Sequence, residues 1–103
     1  MAGRYTLSDG AAADLYEIAE YTESRWGRAQ ALKYSAQLED CLTAIASGKA
    51  RFKYMPKPRG LVRMMRCQHH YIFALPPERG STIIVAVFHE RRDLMARLAE
   101  RLK

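Results

Sequence analysis

The chain has 103 residues, of which 49% are hydrophobic and 27% are charged, and its formal net charge is +6. This length and balance favour one globular domain over residues 1–103 and exclude a largely disordered chain. The longest uninterrupted apolar run, at 83–88, is too short to cross a bilayer, so we expect no membrane association.

The N-terminal residues and the two cysteines indicate the cellular compartment of the protein. The N-terminus lacks the charged-then-apolar layout of an export signal, which predicts a cytoplasmic protein. The two cysteines, Cys41 and Cys67, fall in helix-like and strand-like patterns. Because no export signal precedes them, we expect both to be reduced, buried thiols.

The positive charge is concentrated in one half of the sequence. Residues 1–48 carry four cations against seven carboxylates, a net −3, whereas residues 49–103 carry thirteen cations against four, a net +9. The stretch 49–66 holds seven cations and no acid. This asymmetry favours a polyanion or an acidic polypeptide as partner over a merely solvated face.

The acidic half reads as a short strand followed by two helices. Residues 4–7 alternate, and Ser8 is a natural N-cap for the first helix. Gly27 is placed to end that helix, and a second helix is predicted over 28–46. The predicted apolar stripe of the first helix is Leu15, Ile18, Ala19, Thr22 and Trp26, and its predicted surface acids are Asp14, Glu17, Glu20 and Glu23.

The basic half reads as a sheet and a last helix. A loop is predicted over 49–60, strands over 61–67, 70–75 and 82–88, and a turn over 76–80. The run from Thr82 is apolar on both faces, which is typical of an internal strand. Apolar residues at helical spacing predict a C-terminal helix over 92–102. The fold class is therefore α+β: a small antiparallel β-sheet packed against an N-terminal helical hairpin, in the order β-α-α-β-β-β-α.

Five segments of this sequence, in this order, resemble the ParE branch of the RelE/ParE superfamily of bacterial toxins. The specific elements are a Leu-Ser opening into Ala-x-x-Asp-Leu, a Trp-Gly between helices, and a strand that ends in His-x-Arg-x-Asp. The segments are "YTLSDGAAADLYEIAEYT" at 5–22, "WGRAQALKYSAQLEDCL" at 26–42, "RGLVRM" at 59–64, "HHYIFAL" at 69–75 and "IIVAVFHERRD" at 83–93.

The resemblance implies the toxin half of a type II toxin–antitoxin pair. It implies a small sheet carrying a helical hairpin, and a ParD-like antitoxin with an acidic tail that neutralises the toxin in a hetero-oligomer. For ParE-type members the implied target is DNA gyrase, whose inhibition blocks replication. The alternative is the RelE-type activity, a ribosome-dependent endoribonuclease that cuts messenger RNA.

His89 decides between these two activities at the sequence level. RNA cleavage needs a general base, a general acid and cations that hold the developing phosphorane charge, and His89 has a suitable intrinsic pKa. As a structural residue it would instead bind the backbone and set the turn into the last helix. Adjacent strand residues point to opposite faces, so we expect at most one of His69 and His70 to share a site with His89. We favour the structural interpretation and no catalysis, with His89 as the weak catalytic candidate.

No cofactor or metal is expected. Cys67, His69, His70 and His89 include the residue types of a zinc site, but a zinc site needs three or four converging ligands. The strand alternation predicts that His70 points away from the others. No glycine-rich phosphate loop occurs in the sequence.

The basic half is predicted to bind a macromolecule. The stretch 49–66 mixes cations with Phe52 and Tyr54, as single-strand binders do, so direct nucleic-acid binding is an open alternative to an acidic antitoxin. We favour the antitoxin or the target as partner. The predicted binding cations and histidine are Arg59, Arg63, Arg66, His89, Arg91 and Arg92. The predicted residues of a groove for the antitoxin are Tyr16, Tyr21, Tyr34, Met64 and Met65. The alternative is that each of them simply belongs to the hydrophobic core.

Overall fold

The computed structural model describes residues 4–55, 61–78, 81–91 and 93–103. The elements in chain order are β1 (Tyr5–Leu7), α1 (Asp9–Trp26), α2 (Arg28–Ala46), β2 (Lys53–Tyr54), β3 (Arg63–Cys67), β4 (His70–Glu78), β5 (Ser81–His89) and α3 (Leu94–Arg101). Within the described ranges no helix is both long enough and apolar enough to cross a membrane.

The five strands form one sheet in the order β1-β5-β4-β3-β2. The α+β fold class is confirmed, with two differences in detail. β1 pairs parallel with β5, so the sheet is mixed, while the other pairs are antiparallel. The predicted loop over 49–60 contains the two-residue strand β2, whose pairing with β3 is too short to leave a periodic signal. Its residues 56–60 lie outside the described part of the chain.

The helical hairpin has the boundaries that its capping residues predict. The Ser8 hydroxyl accepts the backbone N–H of Ala11 at 3.1 Å, which fixes the start of α1. Gly27 takes a φ of 90°, which a residue with a Cβ rarely adopts, and so ends α1 and starts α2 within one residue. α2 spans 28–46, as predicted.

The hairpin covers one face of the sheet. Ala11 of α1 and Leu38, Leu42 and Ile45 of α2 are buried against Ile72 and other sheet residues. The predicted stripe of α1 is only partly right. Leu15 and Ile18 pack against this core, but Trp26 is 67% exposed and Asp14 is buried. Trp26 ends α1 next to the hairpin turn, and Asp14 is drawn inward by partners on β5 and α3.

The opposite face of the sheet carries α3. Asp93 caps this helix by accepting the N–H of Ala96, and Leu98 is completely buried with Phe73 and Phe88. Burying a leucine side chain in this way stabilises the fold by about 2 kcal/mol. The helix is shorter at both ends than the predicted 92–102, and Arg92 lies outside the described residues.

A bulge in β5 aligns this strand with both layers. Phe73 pairs with Ala86 and Ala74 pairs with Ile84, which leaves Val85 as the extra residue. Because of the extra residue, Val85 and Ala86 both face the α3 side, and alternation then resumes with Val87 in the hairpin-side core. The β4 strand also extends to Glu78, into the segment predicted as a turn.

The two cysteines are joined. A disulfide links Cys41 of α2 to Cys67 of β3, with their Cα atoms 6.2 Å apart. The expectation of reduced thiols is therefore wrong in this structure. α2 lies across β3 and brings together two residues that are 26 positions apart, a proximity that the sequence does not reveal.

Candidate functional site

A cleft of about 1300 Å³ opens between the helical hairpin and the ends of β4 and β5. Residues of α1, α2, the turn before β4, the end of β5 and α3 line it. We call it the hairpin cleft. It is lined by Asp14, Glu17, Ile18, Tyr21, Thr22, Arg25, Trp26, Gln30, Lys33, Tyr34, Gln37, Gln68, His69, His70, Val87, Phe88, His89, Glu90, Arg91 and Arg97.

Three histidines line the hairpin cleft close to one another. His70 opens β4 opposite His89, with the two ring centroids 5.1 Å apart. His69 lies in the turn before β4, which Gln68 enters with a φ of 57°. The prediction that only one of His69 and His70 could share a site with His89 is therefore wrong, because strand alternation does not apply within a turn.

His70 is held neutral by its surroundings. Burial, together with the charges of His89 and His69, lowers its pKa from 6.5 to about 4. Its Nδ1 lies 2.6 Å from the Tyr34 hydroxyl, which also accepts the backbone N–H of His69 at 3.2 Å. The Tyr34 hydroxyl therefore donates its own proton to His70 Nδ1, and the neutral His70 ring carries its proton on Nε2. Burial also raises the pKa of Tyr34.

His89 binds the backbone of the segment that follows it. Its Nδ1 accepts the N–H of Arg91 at 3.1 Å. This is the hydrogen bond that the structural interpretation of His89 requires, since it fixes the chain as β5 turns towards α3. Among the described residues, no hydrogen bond to the other ring nitrogen, Nε2, is present.

Glu90 joins the β3–β4 turn to the end of β5. Its carboxylate accepts His69 Nδ1–H at 2.9 Å and Arg66 Nη2–H at 2.5 Å. The hydrogen bond from His69 lowers the pKa of Glu90, and the charge of Arg66 acts in the same direction. Sequence reasoning did not single out Glu90, although an acid beside a strand-end histidine in a basic segment is the available signal.

The predicted binding cations separate in space. Arg59 and Arg92 lie outside the described residues, and Arg91 is exposed at the cleft. Arg66 is exposed, and its guanidinium forms an ion pair with Glu90. These placements bring Arg91 and His89 together, with Arg66 beside them through Glu90.

Arg63 was predicted to be a binding cation, but it is buried in the structure. It is only 8% exposed, and its Nη2 donates to the Leu75 carbonyl oxygen at 3.2 Å and to Thr82 Oγ1 at 3.5 Å. The prediction is wrong because Arg63 and Arg66 are three residues apart in one strand, which places them on opposite faces of the sheet.

The predicted groove residues also divide. Tyr21 and Tyr34 line the hairpin cleft, whereas Tyr16 is 65% exposed on α1 and is not among the cleft residues. Met64 and Met65 are regular members of β3, and each packs against a different core cluster. They therefore lie on opposite faces of the sheet and cannot line one groove.

Three contributors to the cleft were not predicted as site residues. Trp26 was assigned to the core, and Arg25 and Lys33 were passed over, yet all three line the cleft. The Arg25 guanidinium lies 5.8 Å from the Tyr21 ring centroid, within cation–π range. A tryptophan directly before a glycine that ends a helix is a sequence signal for an exposed ring, since the end of a hairpin often projects beyond the core.

Within the described residues, no group of three or more His, Cys, Asp or Glu side chains is arranged to hold a metal ion. Of the four ligands considered from the sequence, Cys67 is taken by the disulfide. The site contains aromatic faces, cations and three histidines, each of which has a protein partner at Nδ1.

Comparisons with known proteins agree on one family. The family model described as the ParE toxin of the type II toxin–antitoxin system parDE matches residues 5–94. The chain is 46% identical over 99 residues to Toxin ParE of Escherichia coli, covering 96% of each chain. It is 31% identical over 94 residues to Toxin ParE1 of Mycobacterium tuberculosis, covering 91% of this chain and 96% of the relative.

A solved structure shares the fold. A chain from the chromosomal ParDE TA system of P. aeruginosa matches with a TM-score of 0.68 at 16% identity, covering 84% of this chain and 94% of that one. At this identity the match supports the fold only. The family model and the two curated relatives supply the assignment: the chain belongs to the ParE toxin family of type II toxin–antitoxin systems.

Proposed function

We propose that this toxin inhibits DNA gyrase by binding to it and so blocks replication, and that a ParD-like antitoxin with an acidic tail neutralises it. The family assignment supports the toxin and its pairing with an antitoxin. The choice of gyrase as target, and of binding over catalysis, is the part that we propose.

The observation that carries binding over catalysis is the state of the histidines. His70 stays neutral and is engaged by Tyr34, His89 is engaged by a backbone N–H, and His69 is engaged by Glu90. RNA cleavage of the RelE type needs one group that takes a proton and another that gives one, both within reach of the substrate. Each histidine is held by an internal partner through Nδ1, which supports a structural role for all three, and the assays below test for proton transfer through Nε2.

We place the antitoxin's acidic tail in the hairpin cleft. Arg25, Lys33 and Arg91 supply positive charge at its surface, and Tyr21 and Trp26 supply exposed aromatic area. An acidic segment that folds partly into a helix on binding can use exposed aromatic rings as anchors and the surrounding cations as partners for its carboxylates. Arg66 adds charge next to the cleft, since its side chain is 58% exposed despite its pairing with Glu90.

The toxin in this proposal is one domain over residues 1–103 that needs no cofactor and acts in the cytoplasm, where gyrase meets the chromosome. It is stored as a hetero-oligomer with the antitoxin. The family assignment, to the toxin of the type II system parDE, supports a protein partner of this kind.

The proposal is tested by two assays on the same purified toxin. In the first, gyrase supercoils relaxed plasmid in the presence of increasing toxin, with and without antitoxin. In the second, primer extension follows messenger RNA on translating ribosomes. We expect blocked supercoiling or trapped cleaved DNA, relieved by antitoxin, and no codon-specific cuts. Cuts that disappear in His89→Ala, with gyrase unaffected, would replace this proposal with the RelE-type activity.

A further inference from the structure

A second surface, which shares no residue with the hairpin cleft, lies at the β2 edge of the sheet. Between the end of α2 and β2, three cations alternate with inward-facing residues. Lys49, Arg51 and Lys53 are exposed, while Ala50 and Phe52 are half-buried. No ion pair between described residues involves any of these three cations. We call residues 49–54 the basic edge; none of them lines the cleft.

The basic edge presents a preformed aromatic platform. Tyr54 is 63% exposed, and its ring packs edge-on against Phe52 with the centroids 5.3 Å apart. The Arg63 guanidinium forms a cation–π contact with the Phe52 ring, 5.1 Å from the ring centroid. Arg63 is itself fixed by its bonds to the Leu75 carbonyl oxygen and Thr82, so a buried arginine orients an exposed tyrosine through one ring.

We infer that the basic edge binds single-stranded DNA, with phosphates on Lys49, Arg51 and Lys53 and a base stacked on Tyr54. Exposed cations that follow a backbone, combined with a ring held in a fixed orientation, are the two parts of a sequence-tolerant single-strand site. The choice of DNA rests on the proposed function, since a gyrase inhibitor acts where DNA strands are opened. The inference deepens that function by giving the toxin a direct contact with the DNA.

The fixed ring of the basic edge favours a single strand over a duplex. An acidic peptide could use both the cations and the ring, so polyglutamate is a competitor in the test below. Duplex DNA would offer phosphates but no accessible base face. An RNA strand offers the same phosphates and base faces, and its 2′-hydroxyl can bond to the same ammonium, guanidinium and phenol groups, so DNA is chosen over RNA on the proposed function alone.

The inference is tested without gyrase, by fluorescence anisotropy of a labelled twenty-nucleotide oligothymidine with the whole toxin. The charge variant carries Lys49→Gln, Arg51→Gln and Lys53→Gln. Its control carries Arg4→Gln, Arg28→Gln and Lys103→Gln, three exposed cations elsewhere with the same net charge change. We expect the charge variant to lose about tenfold or more in affinity at low salt, and its salt slope to fall by about 2. The control should bind like the wild type.

The ring is tested separately with Tyr54→Leu, which keeps apolar area and removes the stacking face. We expect a loss of at least about fivefold for oligothymidine. Equal affinity of both charge variants, or no effect of Tyr54→Leu, would overturn the inference. Tighter binding of a matched duplex, an RNA strand or polyglutamate would do the same. A toxin that inhibits gyrase but ignores the oligonucleotide contradicts this inference alone, whereas one that binds it and spares gyrase contradicts the proposed function.

Discussion

Asp14 and Arg101 form a two-point ion pair that joins α1 to α3 across β5. Arg101 Nη1 and Nη2 each lie 2.9 Å from an oxygen of the Asp14 carboxylate. The carboxylate also accepts the N–H of Val87, and the guanidinium also donates to the carbonyl oxygen of the bulge residue Val85. The pair therefore satisfies backbone groups around the bulge and links both layers of the fold.

The ion pair predicts an unusual response at Gly10. A Cβ added there would lie 2.6 Å from Arg101 Nη1 and 2.8 Å from Cζ, and Asp14 prevents the guanidinium from moving away. We expect Gly10→Ala to lower the free energy of unfolding by about 1 to 2 kcal/mol. In an Arg101→Ala background the clash is gone, and the same change should be neutral or stabilising by up to about 1 kcal/mol.

Urea unfolding of the four proteins in this cycle measures the coupling. The matched background is Lys103→Ala, which removes an exposed cation of the same C-terminal segment that pairs only with Glu100 among the described residues. Gly10→Ala should cost as much there as in the wild type. Identical costs of Gly10→Ala in the Arg101→Ala and Lys103→Ala backgrounds would show that the pair does not confine this glycine.

His70 predicts a loss of stability in mild acid. Its pKa is about 4 in the folded protein and near 6.5 in the unfolded chain, so between these values the unfolded chain binds the extra proton. The free energy of unfolding should therefore fall as pH drops from about 6.5 to 4, by on the order of 2 kcal/mol from this residue after allowing for solvent screening. Above pH 7 the residue contributes no slope.

Comparison with two variants isolates this contribution. In His70→Gln the slope between pH 6.5 and 4 should become shallower, whereas His69→Gln changes an exposed histidine and should keep the steep dependence. Urea midpoints across this range are the measurement. If His70→Gln and the wild type lose stability in parallel, burial of a neutral His70 is not the cause of the acid sensitivity.

The helical hairpin was predictable because its signals are local. Ser8, Gly27 and the apolar spacing of α2 set the hairpin boundaries through capping and periodicity. The position of β5 inside the sheet followed from its apolar faces in the same way.

The remaining features depend on contacts between distant residues. The inward position of Asp14 is set by Arg101, 87 positions away, and a carboxylate on a helix otherwise reads as solvated. The gathering of three histidines depends on the turn at Gln68, and the burial of Arg63 depends on partners in β4 and β5. Periodicity in one segment carries no information about such pairs.

The disulfide predicts a stability difference between redox states. It closes a loop with a sequence separation of 26, which in the chain-entropy view stabilises the fold by about 3 kcal/mol. We expect reductant to lower the urea midpoint. Without urea the reduced protein should stay folded, because the core between the hairpin and the sheet is unchanged. A Cys41→Ala, Cys67→Ala variant is the control and should not respond to reductant. Unfolding that is unchanged by reductant in the wild type would argue against the bond.

The hairpin cleft predicts which cations the antitoxin uses. Arg25→Glu with Arg91→Glu should weaken antitoxin binding about tenfold or more at low salt, mainly by slowing association, because both charges face the cleft. Arg4→Glu with Lys103→Glu changes the net charge equally, on exposed residues outside the cleft, and should have a smaller effect. Surface plasmon resonance with immobilised antitoxin measures both. Equal losses in the two variants would move the antitoxin away from this cleft.

Inhibition of gyrase by occupancy, without turnover, has a stoichiometric signature. Residual supercoiling is measured as a function of the molar ratio of toxin to gyrase, at a short and a long incubation. We expect inhibition to follow the molar ratio, to stay constant between the two times, to be retained in His89→Ala and to be reversed by antitoxin. Progressive loss of gyrase activity at a small fraction of one toxin per enzyme, abolished in His89→Ala, would show instead that the toxin acts as a catalyst.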